Sequence, residues 1–136
     1  MRTNKMKRFI KCFLSVLFVV MFAIGSTTVS ASTQRYTYII GLTVTLNVDD
    51  GEASLTGSLD ARQGEVRLRL VLEKQLDNGD WIEVDSEEIS DDRSTIVGFA
   101  RTAEKGRYYR AVSYGEVWIN GKCVEDDIVT SPRDNY

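Results

Sequence analysis

Hydrophobic and polar residues alternate one by one through most of this chain after residue 35, and a period of two is typical of β-strands with one face in a core. The first run, residues 36–48, places its apolar side chains on one parity and its threonines on the other. Similar runs cover residues 53–61, 66–73, 81–89, 94–101, 107–114, 116–119 and 122–129. The pattern therefore predicts seven or eight strands.

Short turn sequences separate these runs. Asn-Gly pairs at residues 78–79 and 120–121 each lie between two alternating runs and predict hairpins, because Gly and Asn tolerate positive φ. Acidic or glycine-containing turns follow at residues 49–52 and 104–106. Two packed antiparallel sheets are the simplest way to bury so many one-sided strands, so the sequence predicts an all-β, antiparallel sandwich.

The same alternation assigns side chains to faces. Arg67 and Arg69 fall on the parity that faces solvent, and the tail at residues 134–136 is expected to fray. The residues expected to share one core are Leu55, Leu59, Leu68, Leu70, Tyr109 and Ala111.

The N-terminal segment has a different composition. Five basic and no acidic residues precede an apolar run at residues 13–24, which is about the length of a signal h-region and too short to span a membrane. Val29 and Ala31 provide the small residues that a signal peptidase accepts. We therefore expect residues 1–31 to be a helical signal peptide cleaved after Ala31, and residues 32–136 to form one secreted domain.

Removal of that segment makes the product more acidic. It takes five of the 17 Lys and Arg residues and none of the 20 Asp and Glu residues, so the formal charge moves from −3 to −8. Nucleic acids and anionic lipids bind positive surfaces. The sequence therefore predicts no nucleic-acid partner and no membrane contact for the mature form.

Catalytic and metal-binding chemistry has few candidate residues. The chain contains no His, and Cys123 is the only cysteine after the signal, which excludes a Ser-His or Cys-His pair and a zinc site built on several thiolates. Adjacent carboxylates such as those at residues 87–88 and 126–127 point to opposite faces of a strand. We expect no enzyme activity, no catalytic residue, no metal and no cofactor. A structural calcium ion on the acidic turns is the alternative to the expected absence of a metal, although these turns match no twelve-residue calcium loop.

The segment Gly106-Arg107-Tyr108-Tyr109-Arg110-Ala111-Val112 resembles the penultimate strand of an immunoglobulin-like sandwich. The resemblance implies that Tyr109 is a corner tyrosine whose hydroxyl bonds to backbone a few residues upstream, and that Ala111 points into the core. It implies an immunoglobulin-like β-sandwich of about seven to eight strands.

Three segments also resemble small single-domain secreted proteins of Firmicutes that are grouped as families of unknown function. They are Gly79-Asp80-Trp81, the Gly-x-Tyr-Tyr-Arg-Ala segment at residues 106–111, and residues 117–122. This similarity implies a β-sandwich and a Gram-positive source, and it implies no activity.

Two binding functions follow from the predicted strands. Aromatic rings with nearby polar groups could stack on sugar faces and bind an extracellular or cell-wall glycan, although such rings also serve as core or cross-strand pairs. The alternative is a protein partner at an exposed edge strand or apolar patch, which demands fewer specific residues. The sequence predicts a secreted, non-enzymatic protein-interaction module, with glycan binding as the alternative. The candidate ligand-binding residues are Trp81, Tyr108, Arg110, Tyr114 and Trp118.

Overall fold

Five antiparallel strands make up the computed structural model, which describes residues 36–136. They are β1 (Ile39–Asp49), β2 (Glu52–Gln75), β3 (Trp81–Thr102), β4 (Tyr109–Ile119) and β5 (Lys122–Thr130). The described part of the chain contains no helix and therefore none that could span a membrane. The all-β prediction is confirmed, while the predicted signal peptide lies outside the described residues.

Two of these strands are long enough to belong to two sheets. β2 has 24 residues and β3 has 22, and the two pair with each other along their length. β1 pairs with the first half of β2, whereas β4 pairs with its second half. One sheet thus contains β1 and one half each of β2 and β3, and the other contains the remaining halves with β4 and β5. The resulting seven strand segments form the predicted antiparallel sandwich.

A kink divides the β2–β3 hairpin at the boundary between the sheets. Regular pairing stops at Asp60 with Ser94 and resumes at Glu65 with Asp92. Gly64 has a φ of 95°, and a Cβ atom there would lie 2.7 Å from the backbone oxygen of Trp118. Only glycine fits both the backbone conformation and the space.

Two adjacent clusters of buried side chains fill the space between the sheets. All six residues predicted to be in the core are buried. Leu55 and Leu70 belong to the first cluster with Tyr109 and Ala111, and Leu59 and Leu68 belong to the second. The prediction of a single core is therefore wrong in detail.

The two clusters are separated by small residues. Gly57 lies between Leu55 and Leu59 on β2, and the fully buried Ser113 lies on β4. A Cβ atom on Gly57 would be 2.5 Å from Ser113 Oγ, so the two residues are in close contact. Ser113 Oγ donates a hydrogen bond to Thr43 O at 2.9 Å, which gives this buried hydroxyl an acceptor.

The corner tyrosine and the C-terminal tail are both fixed by hydrogen bonds. The Glu104 N–H donates to Tyr109 Oη at 2.8 Å, five residues upstream, which confirms the prediction for Tyr109. The tail does not fray as expected, because Asp134 exchanges two backbone hydrogen bonds with Tyr109. Tyr136 Oη also donates to Ala103 O at 2.9 Å.

The kink gives a stability prediction with an internal control. Gly64 and Gly79 both have positive φ, but a Cβ atom at Gly79 would meet nothing within 4 Å. We expect Gly79→Ala to cost about 1–2 kcal/mol of backbone strain. Gly64→Ala should cost about 1–3 kcal/mol more because its methyl group overpacks against backbone. Urea unfolding measures both losses, and equal losses would contradict the account of the kink.

Candidate functional site

The outer face of the four-stranded sheet carries all five predicted ligand-binding residues. In the second half of β2 the even-numbered residues from 66 to 72 are buried, so the odd-numbered Arg67 and Arg69 point away from the core, as predicted. Register places Trp118, Tyr114 and Arg110 of β4 on this same face. Trp81 lies there as well, opposite Gln75, and Tyr108 directly precedes β4 with the parity of Arg110. The structure therefore brings the predicted residues to one surface.

Each ring on this surface has a guanidinium group over it. The distance from the arginine Cζ to the ring centroid is 4.0 Å for Arg67 and Trp118 and 4.3 Å for Arg110 and Trp81. The remaining pairs are Arg69 over Tyr114 at 5.8 Å and Arg133 over Tyr108 at 4.3 Å. These are cation–π contacts, and they cover one face of every candidate ring.

The polar groups of the same surface are also paired with one another. Trp118 Nε1 donates to Glu116 at 2.6 Å. The ion pairs are Arg67 with Glu65 at 2.9 Å, Arg69 with Glu83 at 2.8 Å and Arg110 with Glu73 at 2.5 Å. A sugar bound here would have to displace contacts that the surface already makes with itself.

Cys123 lies at the start of β5 with an exposed side chain. Desolvation raises the pKa of its thiol, and the nearby carboxylates of Glu116 and Asp126 raise it further. A raised pKa disfavours the nucleophilic thiolate. Within residues 36–136, no group of three or more Cys, Asp or Glu side chains is placed to hold a metal ion.

Among the described residues, three strands lie at the border of a sheet, and β1 is held there by side chains of β5 and of the C-terminal tail. Both carboxylate oxygens of Glu125 accept hydrogen bonds from the backbone of residues 37–39, at distances of 2.6 to 2.8 Å. Near the other end, the Val48 N–H donates to Asp134 Oδ2 at 2.9 Å. Backbone groups that are engaged in this way are not available for strand pairing.

The edge of β3 is longer and has no neighbouring strand among the described residues. β3 pairs with β2 alone, so one side of a 22-residue strand stays open. β5 also has no second strand neighbour among the described residues, but it has only nine residues. Four large apolar side chains on β3 are exposed, and they are Ile82, Val84, Ile89 and Ile96.

Hydrogen bonds beside the strand ladders show which backbone groups of β3 point outward. Gln75 N–H donates to Tyr108 O, so odd-numbered residues in the second half of β2 direct their backbone toward β4. Ala103 N–H donates to Gly51 O, so odd-numbered residues in the first half face β3 instead. Between Asp85 and Arg101, the β3 residues that direct their backbone outward are therefore Ser86, Glu88, Ser90, Asp92, Ser94, Ile96, Gly98 and Ala100.

Side chains of β3 itself engage some of these outward groups. Asp85 Oδ1 accepts from the Ser86 N–H at 2.8 Å, and Asp91 Oδ1 accepts from the Asp92 N–H at 2.7 Å. Arg101 Nη1 donates to Ala100 O at 2.7 Å. Between these points the backbone of Ile96 and Gly98 has no such side-chain partner in the described structure, which makes this the most open stretch of the edge.

Ion pairs hold the two halves of β3 together across the sandwich. Arg101 contacts Asp85 at 2.5 Å and Glu87 at 3.6 Å. The hydrogen bond from Arg101, followed by that from the Ser86 N–H, lowers the pKa of the Asp85 carboxyl despite some desolvation. These contacts close the side of the sandwich at the end away from the kink.

A cleft of about 440 Å³ lies at the kink end of the same edge. It combines apolar side chains with carboxylates and has no basic residue in its lining. Asp60 accepts a hydrogen bond from Ser94 Oγ at 2.5 Å. The lining residues are Ser58, Asp60, Ile89, Asp91, Ser94, Thr95 and Ile96.

The sequence did not reveal this cleft or the open edge. Residues 94–100 form an uncharged run of strand-forming residues between Arg93 and Arg101, and such a run is a recognised signal for strand pairing. That signal gives no information on whether the strand lies at an edge, because an edge is defined by the absence of a neighbour.

Comparison with known proteins identifies no family for this chain. No protein-family model and no curated protein matches the chain. A glycosyl hydrolase family 2 member from Bacteroides cellulosilyticus is 17% identical with a TM-score of 0.41, over 66% of this chain and 14% of that chain. A putative β-galactosidase from Bacteroides fragilis is 16% identical with a TM-score of 0.42, over 66% and 15%.

The solution structure of R. palustris CsgH is similar at 17% identity and a TM-score of 0.37, over 65% of this chain and 88% of that chain. In the two Bacteroides proteins described above, the matched region amounts to about one seventh of the chain. The resemblance to secreted Firmicutes proteins stays a prediction.

The Glu125 contact gives a pH prediction. Desolvation raises the pKa of this carboxyl, but the three backbone hydrogen bonds outweigh that effect and lower it. A carboxyl whose folded pKa is lowered stabilises the fold at neutral pH, and that contribution is lost as pH falls through the folded value. We expect Glu125→Gln to be destabilising at pH 7, with a difference from wild type that shrinks below about pH 4.

Urea unfolding between pH 7 and pH 3 measures that difference. The control is Glu88→Gln, because the exposed side chain of Glu88 makes no hydrogen bond or ion pair with any residue from 36 to 136. If the difference in unfolding free energy between Glu125→Gln and the wild type does not change with pH, the charge of the carboxylate is not what holds the start of β1.

Proposed function

We propose that this protein is a secreted, non-enzymatic interaction module that binds an extended polypeptide segment along the outer edge of β3. The observation that carries the proposal is the open edge itself. Among the described residues β3 has one strand neighbour, whereas β1 is held by Glu125 and Asp134. An added strand would form main-chain hydrogen bonds with the outward groups of β3.

The residues around this edge suit an added strand. Ile96 is 66% exposed, and its backbone points away from β2. Residues 94–100 carry no charge, so backbone pairing there requires no desolvation of ionised side chains. In the first half of β3, the N–H groups of Ser86 and Asp92 already donate to the side chains of Asp85 and Asp91. Strand pairing is restricted there, so we place the binding site in the second half of β3.

Glycan binding and catalysis receive less support. The candidate rings Trp81, Tyr114 and Trp118 each have one face covered by an arginine. The chain has no His, and the arginines of that surface are already paired with carboxylates. Secretion follows from the predicted signal peptide at residues 1–31 and is proposed on that ground.

A peptide-display experiment with two matched proline variants tests the proposal. Proline removes an outward N–H without removing a bond to the neighbouring strand, so Ile96→Pro should block strand addition and leave the fold intact. Ile128→Pro is the control because Ile128 is 58% exposed on β5. The Ser131 N–H donates to Ala111 O, and this ladder directs the backbone of Ile128 outward as well.

Random twelve-residue peptides are selected on the wild-type protein and then measured against both variants. Selected peptides should bind Ile96→Pro at least about tenfold more weakly and Ile128→Pro unchanged. Circular dichroism and thermal unfolding check that both variants are folded. Equal binding to all three proteins, or loss in Ile128→Pro alone, would contradict the proposed site.

A further inference from the structure

We propose that the segment bound at β3 carries a lysine or arginine, whose alkyl stem lies between Ile89 and Ile96 and whose charged end reaches Asp60 and Asp91. This inference rests on the proposed function, because it names the chemistry of the segment that pairs with the edge. It concerns the cleft at the kink, which directly adjoins the open backbone of Ile96.

The cleft is shaped by the two halves of β3. Ile89 and Asp91 come from the half in the four-stranded sheet, and Ser94 and Ile96 come from the half in the three-stranded sheet. A strand added beside Ile96 would therefore direct alternate side chains toward the cleft. The volume of about 440 Å³ is ample for one long side chain.

The lining combines the two surfaces that a long cationic side chain needs. Ile89 is 37% exposed and Ile96 is 66% exposed, and both offer apolar surface to an alkyl stem. Asp60 and Asp91 each use one carboxylate oxygen for the hydrogen bonds given above, which leaves the other oxygen for an incoming donor. Charge-assisted hydrogen bonds from lysine or arginine fit these acceptors.

The surroundings favour a cation over other charged groups. Residues 81–92 of β3 contain six carboxylates and no basic residue. Two of them, Asp85 and Glu87, already contact Arg101, and Glu83 contacts Arg69. The remaining three have no ion-pair partner in the described structure, and an acidic segment would be repelled from this half of the edge. Arg93, at the kink, is the nearest cation in sequence and does not line the cleft.

Synthetic peptides of defined charge test the inference. The probe is an eight-residue peptide of alternating valine and lysine with blocked ends, and its counterparts carry glutamine or glutamate in place of lysine. Affinity is measured by fluorescence anisotropy for the wild type, Ile96→Pro and the double variant Asp60→Asn with Asp91→Asn. Asparagine keeps an acceptor oxygen for Ser94 and for the Asp92 N–H, so the double variant removes charge with little change in shape.

We expect the lysine peptide to bind the wild type about tenfold more tightly than the glutamine peptide, and the double variant to abolish that difference. Each peptide that binds the wild type should bind Ile96→Pro more weakly. Equal binding of the lysine and glutamine peptides, with loss in Ile96→Pro, would overturn the cationic specificity and leave the proposed function standing. Failure of all peptides to bind, or binding that Ile96→Pro does not change, would overturn the edge site as well.

Discussion

The kink in the β2–β3 hairpin determines how the two sheets of this protein pack against each other. One pair of long strands crosses from one sheet to the other, and the change of direction occurs at Gly64 and Arg93, both with positive φ. Because Gly64 lies against the backbone of Trp118, the bend is fixed by contact with β4. This contact places the two halves of β2 face to face, so that Leu55 and Leu70 meet in one buried cluster.

The same bend determines which edges are exposed. β1 and β4 occupy one side of β2. Their sheets are joined there by hydrogen bonds that the carboxylates of Glu125 and Asp134 accept from the backbone of β1, and by the bond that Ser113 donates to Thr43 O. β3 alone occupies the other side, so neither of its halves has a second strand neighbour within residues 36–136. A hairpin that forms part of two sheets thus leaves one continuous edge along the sandwich, and the cleft at its kink follows from the geometry of that edge. The kink in the β2–β3 hairpin therefore accounts for both the two-sheet fold and the position of the proposed binding site.

Local patterns in the sequence predicted the strand segments and their faces well. Period-two alternation located the seven segments but divided β4 into two runs, 107–114 and 116–119. The Gly-x-Tyr-Tyr segment correctly identified the corner bond of Tyr109. Alternation did not reveal that residues 53–61 and 66–73 form one strand, because Gly64 is fixed by Trp118, which lies far along the chain. It named the aromatic candidates but did not show that they share one face with their arginine partners, because that arrangement depends on the register between β2 and β4.

The tail illustrates the same limit, since residues 134–136 look unstructured in isolation and are bound by Tyr109 and Ala103. For a related reason, the sequence did not predict which strands lie at the edges of the sheets. Strand neighbours are long-range contacts, and an edge depends on which contact is missing.

Residue-resolved amide hydrogen exchange on the free protein tests the open edge most directly. The account predicts fast exchange at Ile96 and Gly98, whose backbone points outward, and protection at Thr95 and Val97, which face β2. The amides of Ile39 and Val48 should be protected by Glu125 and Asp134. Protection of Ile96 and Gly98 in the monomer would show that the edge of β3 is covered and would contradict the account.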